Sequence, residues 1–309
     1  MIRRAMVVGL AAVLVACGGG GDDAENGGDG GNGGTGSRVH RYQELATAGT
    51  TADFRAQLTA QGTLGYRYIS EVAYNGGTRA LFVNDASVAY TYEVLESKLT
   101  VADFVAQAVA QGQRGFRYTG GDTRGVIYRK VTNSTETFTV EKEDSTAIGG
   151  LTSAAFVAQV NTRGANGFRL GAELVLGGAY FNLYEKSSVG ARKYEIRVEG
   201  PVANESAQLA RFDTYGAAGY RMRTPHAFAD GTMWVFERDT SQTATFRYFA
   251  DPAVATAAAL VTQANAQGTS GRGLEGQLVL VNGGVPRDLY VLAANCTGVL
   301  CDVRGPFGY

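Results

Sequence analysis

The feature that most constrains this chain is a short step that recurs along it. The step is a helix end, a glycine corner and an aromatic strand start. Its first copy is Gln61-Gly62-Thr63-Leu64-Gly65-Tyr66-Arg67-Tyr68, and the second is Gln111-Gly112-Gln113-Arg114-Gly115-Phe116-Arg117-Tyr118. The third and fourth are Gly164-Ala165-Asn166-Gly167-Phe168-Arg169 and Gly216-Ala217-Ala218-Gly219-Tyr220-Arg221. A degenerate fifth reads Gly268-Thr269-Ser270-Gly271-Arg272-Gly273-Leu274. The second glycines, 65, 115, 167, 219 and 271, are spaced by 50, 52, 52 and 52 residues. A fixed period of this size marks a repeat architecture. A unit this small is marginal alone, so neighbouring units are expected to pack together.

Reading one unit gives its order of elements. Residues 39–45 alternate as a strand, and Thr50 or Thr51 is placed to cap a helix. Phe54 and Leu58, one turn apart, make its apolar face. Gly62 fits the left-handed position after the helix, and Gly65 closes the corner. Residues 66–72 alternate again, Asn75-Gly76 signals a tight hairpin, and residues 79–83 return. The unit is β-α-β-β. The helices of units 2 to 5 centre on Phe104 and Ala108, Phe156 and Val160, Leu209 and Phe212, and Leu260 and Ala264. The fold class is therefore α+β with five tandem units: 38–87, 88–134, 135–189, 190–241 and 242–295, then a tail over 296–309. A β-α-β crossover sets its two strands parallel, so each unit is expected to hold a mixed three-stranded sheet with one helix.

Two resemblances attach to these residues. The pattern of helix, G-x-x-G, aromatic, strand and hairpin resembles a small bacterial β-α-β-β domain that carries no assigned activity and occurs in short secreted or lipid-anchored proteins. Its usual Trp is Tyr66, Phe116, Phe168 or Tyr220 here. Read cyclically, the same order is similar to that of five-bladed α/β propellers such as the guanidine-modifying enzymes. Five units can form either an open array or a closed pseudo-fivefold ring; a ring would remove the sheet edges an array must protect.

The N-terminus reads as an address. Met1-Ile2-Arg3-Arg4 is a basic lead, and the apolar or small run Ala5 to Ala16 spans twelve residues, too short to cross a membrane and suited to a signal peptide over 1–16. Leu14-Val15-Ala16-Cys17 resembles a lipobox, the processing signal of bacterial lipoproteins. The resemblance implies cleavage before Cys17 and its lipidation, hence a membrane anchor. Gly18 in the next position, by resemblance to enterobacterial sorting, favours the outer membrane. Residues 17–37 are mostly Gly, Asp and Asn, a tether that cannot bury a core. A Gly-rich coil of about twenty residues reaches roughly 25 Å.

Past the tether the chain carries 26 basic and 25 acidic residues, since Arg3 and Arg4 lie in the leader and four acids in the tether. That balance gives no electrostatic reason to propose nucleic acid as a partner. Partners are expected at the membrane, through the anchor, and in an envelope protein or polysaccharide.

Candidate chemistry is sparse. Arg67, Arg117, Arg169 and Arg221 occupy one equivalent position, on the face opposite the preceding aromatic. In a ring they would converge as a site for a small anion or glycan; in an array they would pair with strand carboxylates such as Glu44, Glu93 or Glu195. Gly271 to Gly276 matches G-x-G-x-x-G, but a helix precedes it and a strand follows, the reverse of a dinucleotide fingerprint. With Cys17 assigned to lipid, Cys296 and Cys301 form an even pair outside the cytoplasm, which reads as a disulfide. The competing reading is a late nucleophilic Cys of a propeller-type hydrolase, and the two histidines, His40 and His226, sit in no recognisable motif for it. No metal or cofactor motif appears, and a non-catalytic interaction or structural module is expected.

Overall fold

The computed structural model describes residues 38–74, 76–85, 88–146 and 150–304. The leader, the lipobox with Cys17, the tether and the hairpin residue Asn75 lie outside these. Unit 1 comprises β1 (Arg41–Ala46), α1 (Thr51–Thr63), β2 (Arg67–Tyr74) and β3 (Gly77–Asn84). Unit 2 comprises β4 (Tyr90–Leu95), α2 (Val101–Gln113), β5 (Arg117–Asp122) and β6 (Gly125–Val131). Unit 3 comprises β7 (Phe138–Asp144), α3 (Ser153–Ala165), β8 (Arg169–Leu176) and β9 (Ala179–Ser187). Unit 4 comprises β10 (Tyr194–Glu199), α4 (Glu205–Ala217), β11 (Arg221–Phe228) and β12 (Gly231–Asp239). Unit 5 comprises β13 (Thr245–Pro252), α5 (Ala257–Gly268), β14 (Arg272–Val279) and β15 (Pro286–Ala294). The units are α+β repeats of one plan.

Each helix begins the same way. Thr50, Thr100, Thr152, Asn204 and Thr256 are the N-caps, and each side-chain oxygen accepts from the backbone N–H three residues on. This satisfies one of the donors that a helix start leaves open. The first four helices end alike as well. In unit 1 the Gly65 N–H donates to Gly62 O at 3.0 Å and the Tyr66 N–H to Gln61 O at 2.9 Å, the bond pair of a Schellman cap. The left-handed residue is Gly65, with φ of +80°, and its equivalents Gly115, Gly167, Gly219 and Gly271 share that conformation.

This corrects the expected role of Gly62. It is helical and buried, and a Cβ there would lie 2.4 Å from the carbonyl oxygen of Tyr90, in the next unit. The first glycine of each step thus serves close approach of a helix to the following unit's first strand. In the α4 face the buried residues four apart are Gln208 and Phe212 rather than Leu209 and Phe212.

The sheets also differ from expectation. In every unit the third strand lies between the first two, as β1-β3-β2, and both of its pairings are antiparallel. The β-α-β crossover therefore joins parallel strands that are not neighbours, and the sheet is wholly antiparallel. A register shift follows the start of the second strand in all five units, between Tyr68 and Ser70 in the first and between Leu274 and Gly276 in the last. Such a bulge re-aims the side chain it carries.

The arrangement of units is cyclic. Helix α1 packs on β4, α2 on β7, α3 on β10, α4 on β13, and α5 returns to β1. The seam between last and first units is made by bonds of the same kinds as the others. Asn265 Oδ1 accepts from the Tyr42 N–H at 2.7 Å, and its Nδ2 donates to Tyr42 O at 3.0 Å. The His40 N–H donates to Gly268 O at 3.1 Å. The Tyr42 hydroxyl accepts from the Leu274 N–H at 2.7 Å, as Tyr92 does from Tyr68 and Tyr248 from Met222 between other units. One buried cluster joins Tyr42, Leu81 and Val83 of unit 1 to Leu260, Ala264 and Tyr290 of unit 5. The chain is a closed ring, and of the two assemblies open from the sequence the array is excluded.

Candidate functional site

Ring closure brings the second-strand arginines of units 1 to 4 inward. Arg67, Arg117, Arg169 and Arg221 are 4, 6, 2 and 0% exposed. They are not solvated, and Glu44, Glu93 and Glu195 are not their partners: those carboxylates pair with Arg79, Arg114 and Arg238 nearer the surface.

The inward arginines instead tie each unit to the next. Arg117 Nε donates to Glu185 Oε2 at 3.0 Å, and Arg169 makes two bonds to Glu237, at 3.1 and 3.0 Å. Glu185 and Glu237 are third-strand residues one unit further on, 68 positions away in both cases. The ladder is modified at its ends. Arg221 turns to Glu275, the bulge residue of β14, with Nη2 at 2.5 Å from Oε2. In unit 2 the place that Glu185 and Glu237 hold in units 3 and 4 is taken by Arg129, directly opposite Arg117, so Arg67 has no carboxylate there. It pairs with Asp85 at 2.5 Å, just past β3. Arg223, in the β11 bulge, adds a second donor to Glu237 at 3.1 Å.

Charge sets the protonation of this network. Burial alone would push the Glu237 carboxyl up, but Arg169, Arg223 and Arg304 outweigh it and hold the group down to about 2. Burial likewise opposes ionisation of Asp85, and the Arg67 guanidinium overrides it and keeps the carboxyl below its usual range. The guanidiniums and carboxylates of the centre are thus paired with one another out of solvent.

The centre is filled by the chain's own tail, a feature with no sequence signal beyond the cysteine pair. Cys296 and Cys301 are joined as a disulfide. A single turn, Val299–Cys301, follows Gly298, and residues 299–304 are buried throughout. Arg221 Nη1 donates to Leu300 O at 2.5 Å and also to Asp302 O. Arg67 Nη2 donates to Val303 O at 2.7 Å, and the Val303 N–H donates to Asp85 Oδ2 at 3.1 Å. Arg304 Nη1 donates to Met222 O at 2.6 Å and lies 3.6 Å from Glu275. The fifth unit makes room for this: a Cβ on Gly273 would meet Val303 Cγ2 at 2.8 Å. The missing fifth arginine and the seated tail are two sides of one arrangement.

Arg117, Arg169, Glu185, Arg192, Tyr194 and Val299 line a polar cavity of about 50 Å³. Of the histidines, His226 Nε2 lies 2.6 Å from Glu173 Oε2 and its ring stacks on Phe228, while His40 is buried at the ring seam. Gly273 and Gly276 lie on β14, so the G-x-G-x-x-G match is a strand after a helix. Among the described residues no group of three or more His, Cys, Asp or Glu side chains is placed to hold a metal ion. Comparison with protein-family models, curated proteins and solved structures gives no match.

Proposed function

We propose that this chain is a lipid-anchored protein of the bacterial envelope, more suited to the outer than the inner membrane, whose ring is a non-catalytic interaction or structural module. The observation that carries the reading is at the ring centre. The side chains that looked most like a ligand site are bonded to carboxylates of the ring, and the tail occupies the axis. A disulfide-bonded Cys301 has no thiolate to act as a nucleophile. The lipobox-like residues through Cys17 and the Gly-rich run after them supply the anchor and a spacer. The ring's outer surface is then the face offered to an envelope protein or polysaccharide.

A second reading, a ring that binds a small anion, draws on the cavity beside Arg117, Arg169 and Arg192. Mass spectrometry of the N-terminal peptide from the membrane fraction tests the anchor: an acylated Cys17 is expected, and a soluble chain retaining residues 1–16 sinks it. Thiol alkylation without reduction tests the absence of a nucleophile: neither Cys296 nor Cys301 should be labelled. Titration with inorganic phosphate separates the two readings, since micromolar binding would favour the anion site.

A further inference from the structure

We infer that residues 296–304 are a disulfide-latched plug, and that a dithiol reductant makes them open from the ring centre more often while the ring stays closed. The inference stands on the ring geometry and is independent of what the ring docks. Its basis is that the tail and the ring are held by separable sets of bonds. The hydrogen bonds that close the seam run through Asn265, Tyr42, His40 and Gly268, none of them in the tail; of the tail, Val303 joins the apolar cluster at the seam. No strand of the five sheets pairs with residues 296–304. The tail is held by ring side chains: Arg67, Asp85 and Arg221 at its buried end, and Gln242 and Arg192 around Thr297. It can leave without unpairing any sheet.

The contact between tail and ring leaves polar atoms unbonded, as several places within the ring do. Arg67 Nε, Asp85 Oδ1 and Arg304 Nη2 are buried with no hydrogen-bond partner among the described residues. Burial, with Arg221 and Arg223 nearby and only partly offset by Glu275, pushes the Arg304 guanidinium down to about 9. Buried polar groups left this way favour departure into water.

The disulfide opposes that departure. It closes the loop 296–301 and limits the conformations open to a released tail. Cys296 is only partly buried, whereas Cys301 is buried, so attack is placed at Cys296. One thiolate of the dithiol attacks it, the S–S bond breaks, and Cys301 leaves as a thiolate and is protonated. The second thiolate then displaces Cys296, which is protonated in turn. Two electrons pass to the protein and the dithiol becomes a disulfide. Release removes three carbonyl acceptors from Arg67 and Arg221 and opens a centre lined by guanidinium and carboxylate pairs.

Hydrogen exchange on the full chain, oxidised and then reduced with dithiothreitol, tests this. The Cys301 and Val303 amides report the tail, and those of Tyr42 and Leu274 report the ring seam. Loop-closure entropy for a six-residue loop predicts that the tail amides exchange roughly 40-fold faster on reduction, about 2 kcal/mol, while the seam amides keep their rates. Unchanged tail amides would overturn the latch. Parallel acceleration of the seam amides would make the tail part of the ring's structure and overturn the plug. The double variant Cys296→Ser, Cys301→Ser is expected to show the reduced pattern with no reductant present.

Discussion

Replacing the first glycine of a step with alanine separates helix propensity from inter-unit packing. On propensity alone Gly216→Ala, inside α4, should stabilise by about 1 kcal/mol. The structure predicts the opposite sign. A Cβ at Gly216 would lie 1.9 Å from Phe246 O, where real contacts stay beyond 3.0 Å. The obstacle is a backbone carbonyl in β13, so no side chain can swing aside; α4 must back away by about 1 Å. A radial gap of that size forfeits a quarter to a half of each dispersion contact it crosses. It would cross the packing of Phe212 and Trp234 against Phe246 and Tyr248. Overpacking of this kind costs about 1–3 kcal/mol, and with a rigid obstacle we expect a net loss near 3 kcal/mol for Gly216→Ala. The equivalent approaches at Gly164, Gly268, Gly62 and Gly112 are 2.0, 2.2, 2.4 and 2.5 Å, so the losses should fall in that order. Gly49, with nothing within 4 Å of its added Cβ, is the control and should change by less than about 0.5 kcal/mol. Urea unfolding monitored by far-ultraviolet circular dichroism measures all six variants. Stabilisation across the five step positions would refute the argument, because helix propensity would then outweigh the approach of helix to strand.

Three further outcomes follow from the centre and the anchor. Arg169→Ala leaves Glu237 buried with only Arg223 and Arg304 nearby and should cost about 2–4 kcal/mol in urea unfolding; a loss below about 1 kcal/mol would mean the pair is hydrated. Glu237 is held at about 2 against an ordinary 4.5, so its contribution is present above pH 4.5 and is lost as pH falls through 2. The limit is about 3 kcal/mol, and Glu237→Gln should flatten the stability profile over that window; an unchanged acid limb would count against the pairing. Cys17→Ser is expected to move the protein from the membrane to the soluble fraction, and continued membrane association in high salt would show an anchor elsewhere.

The repeat and its elements are legible because each rests on local chemistry. An N-cap Thr, an apolar pair one turn apart and a left-handed glycine act within a few residues, so their spacing survives in sequence. Strand order does not have that property. Nothing within one unit says that the third strand will insert between the first two, since that is decided by how the crossover helix covers the neighbouring unit. The same holds for Gly62: both of its readings demand glycine, and only the position of the Tyr90 carbonyl distinguishes them.

The candidate site divides along the same line. Four equivalent arginines were visible as a row, and a ring makes them converge. Their partners were hidden, because Glu185 and Glu237 lie a unit and a hairpin away and acquire meaning only once the ring is closed. With closure known, the irregularities of the row become its most informative part. Arg129 stands where the pattern calls for a carboxylate, and Arg67 consequently turns to Asp85 and the tail. Gly273 stands where the pattern calls for arginine, and Val303 fills the space. The first departure turns Arg67 toward the tail, and the second gives the tail its space. A ring of five identical units would have brought five guanidiniums to one axis; the second and fifth units depart from the pattern, and a segment of the same chain fills the centre.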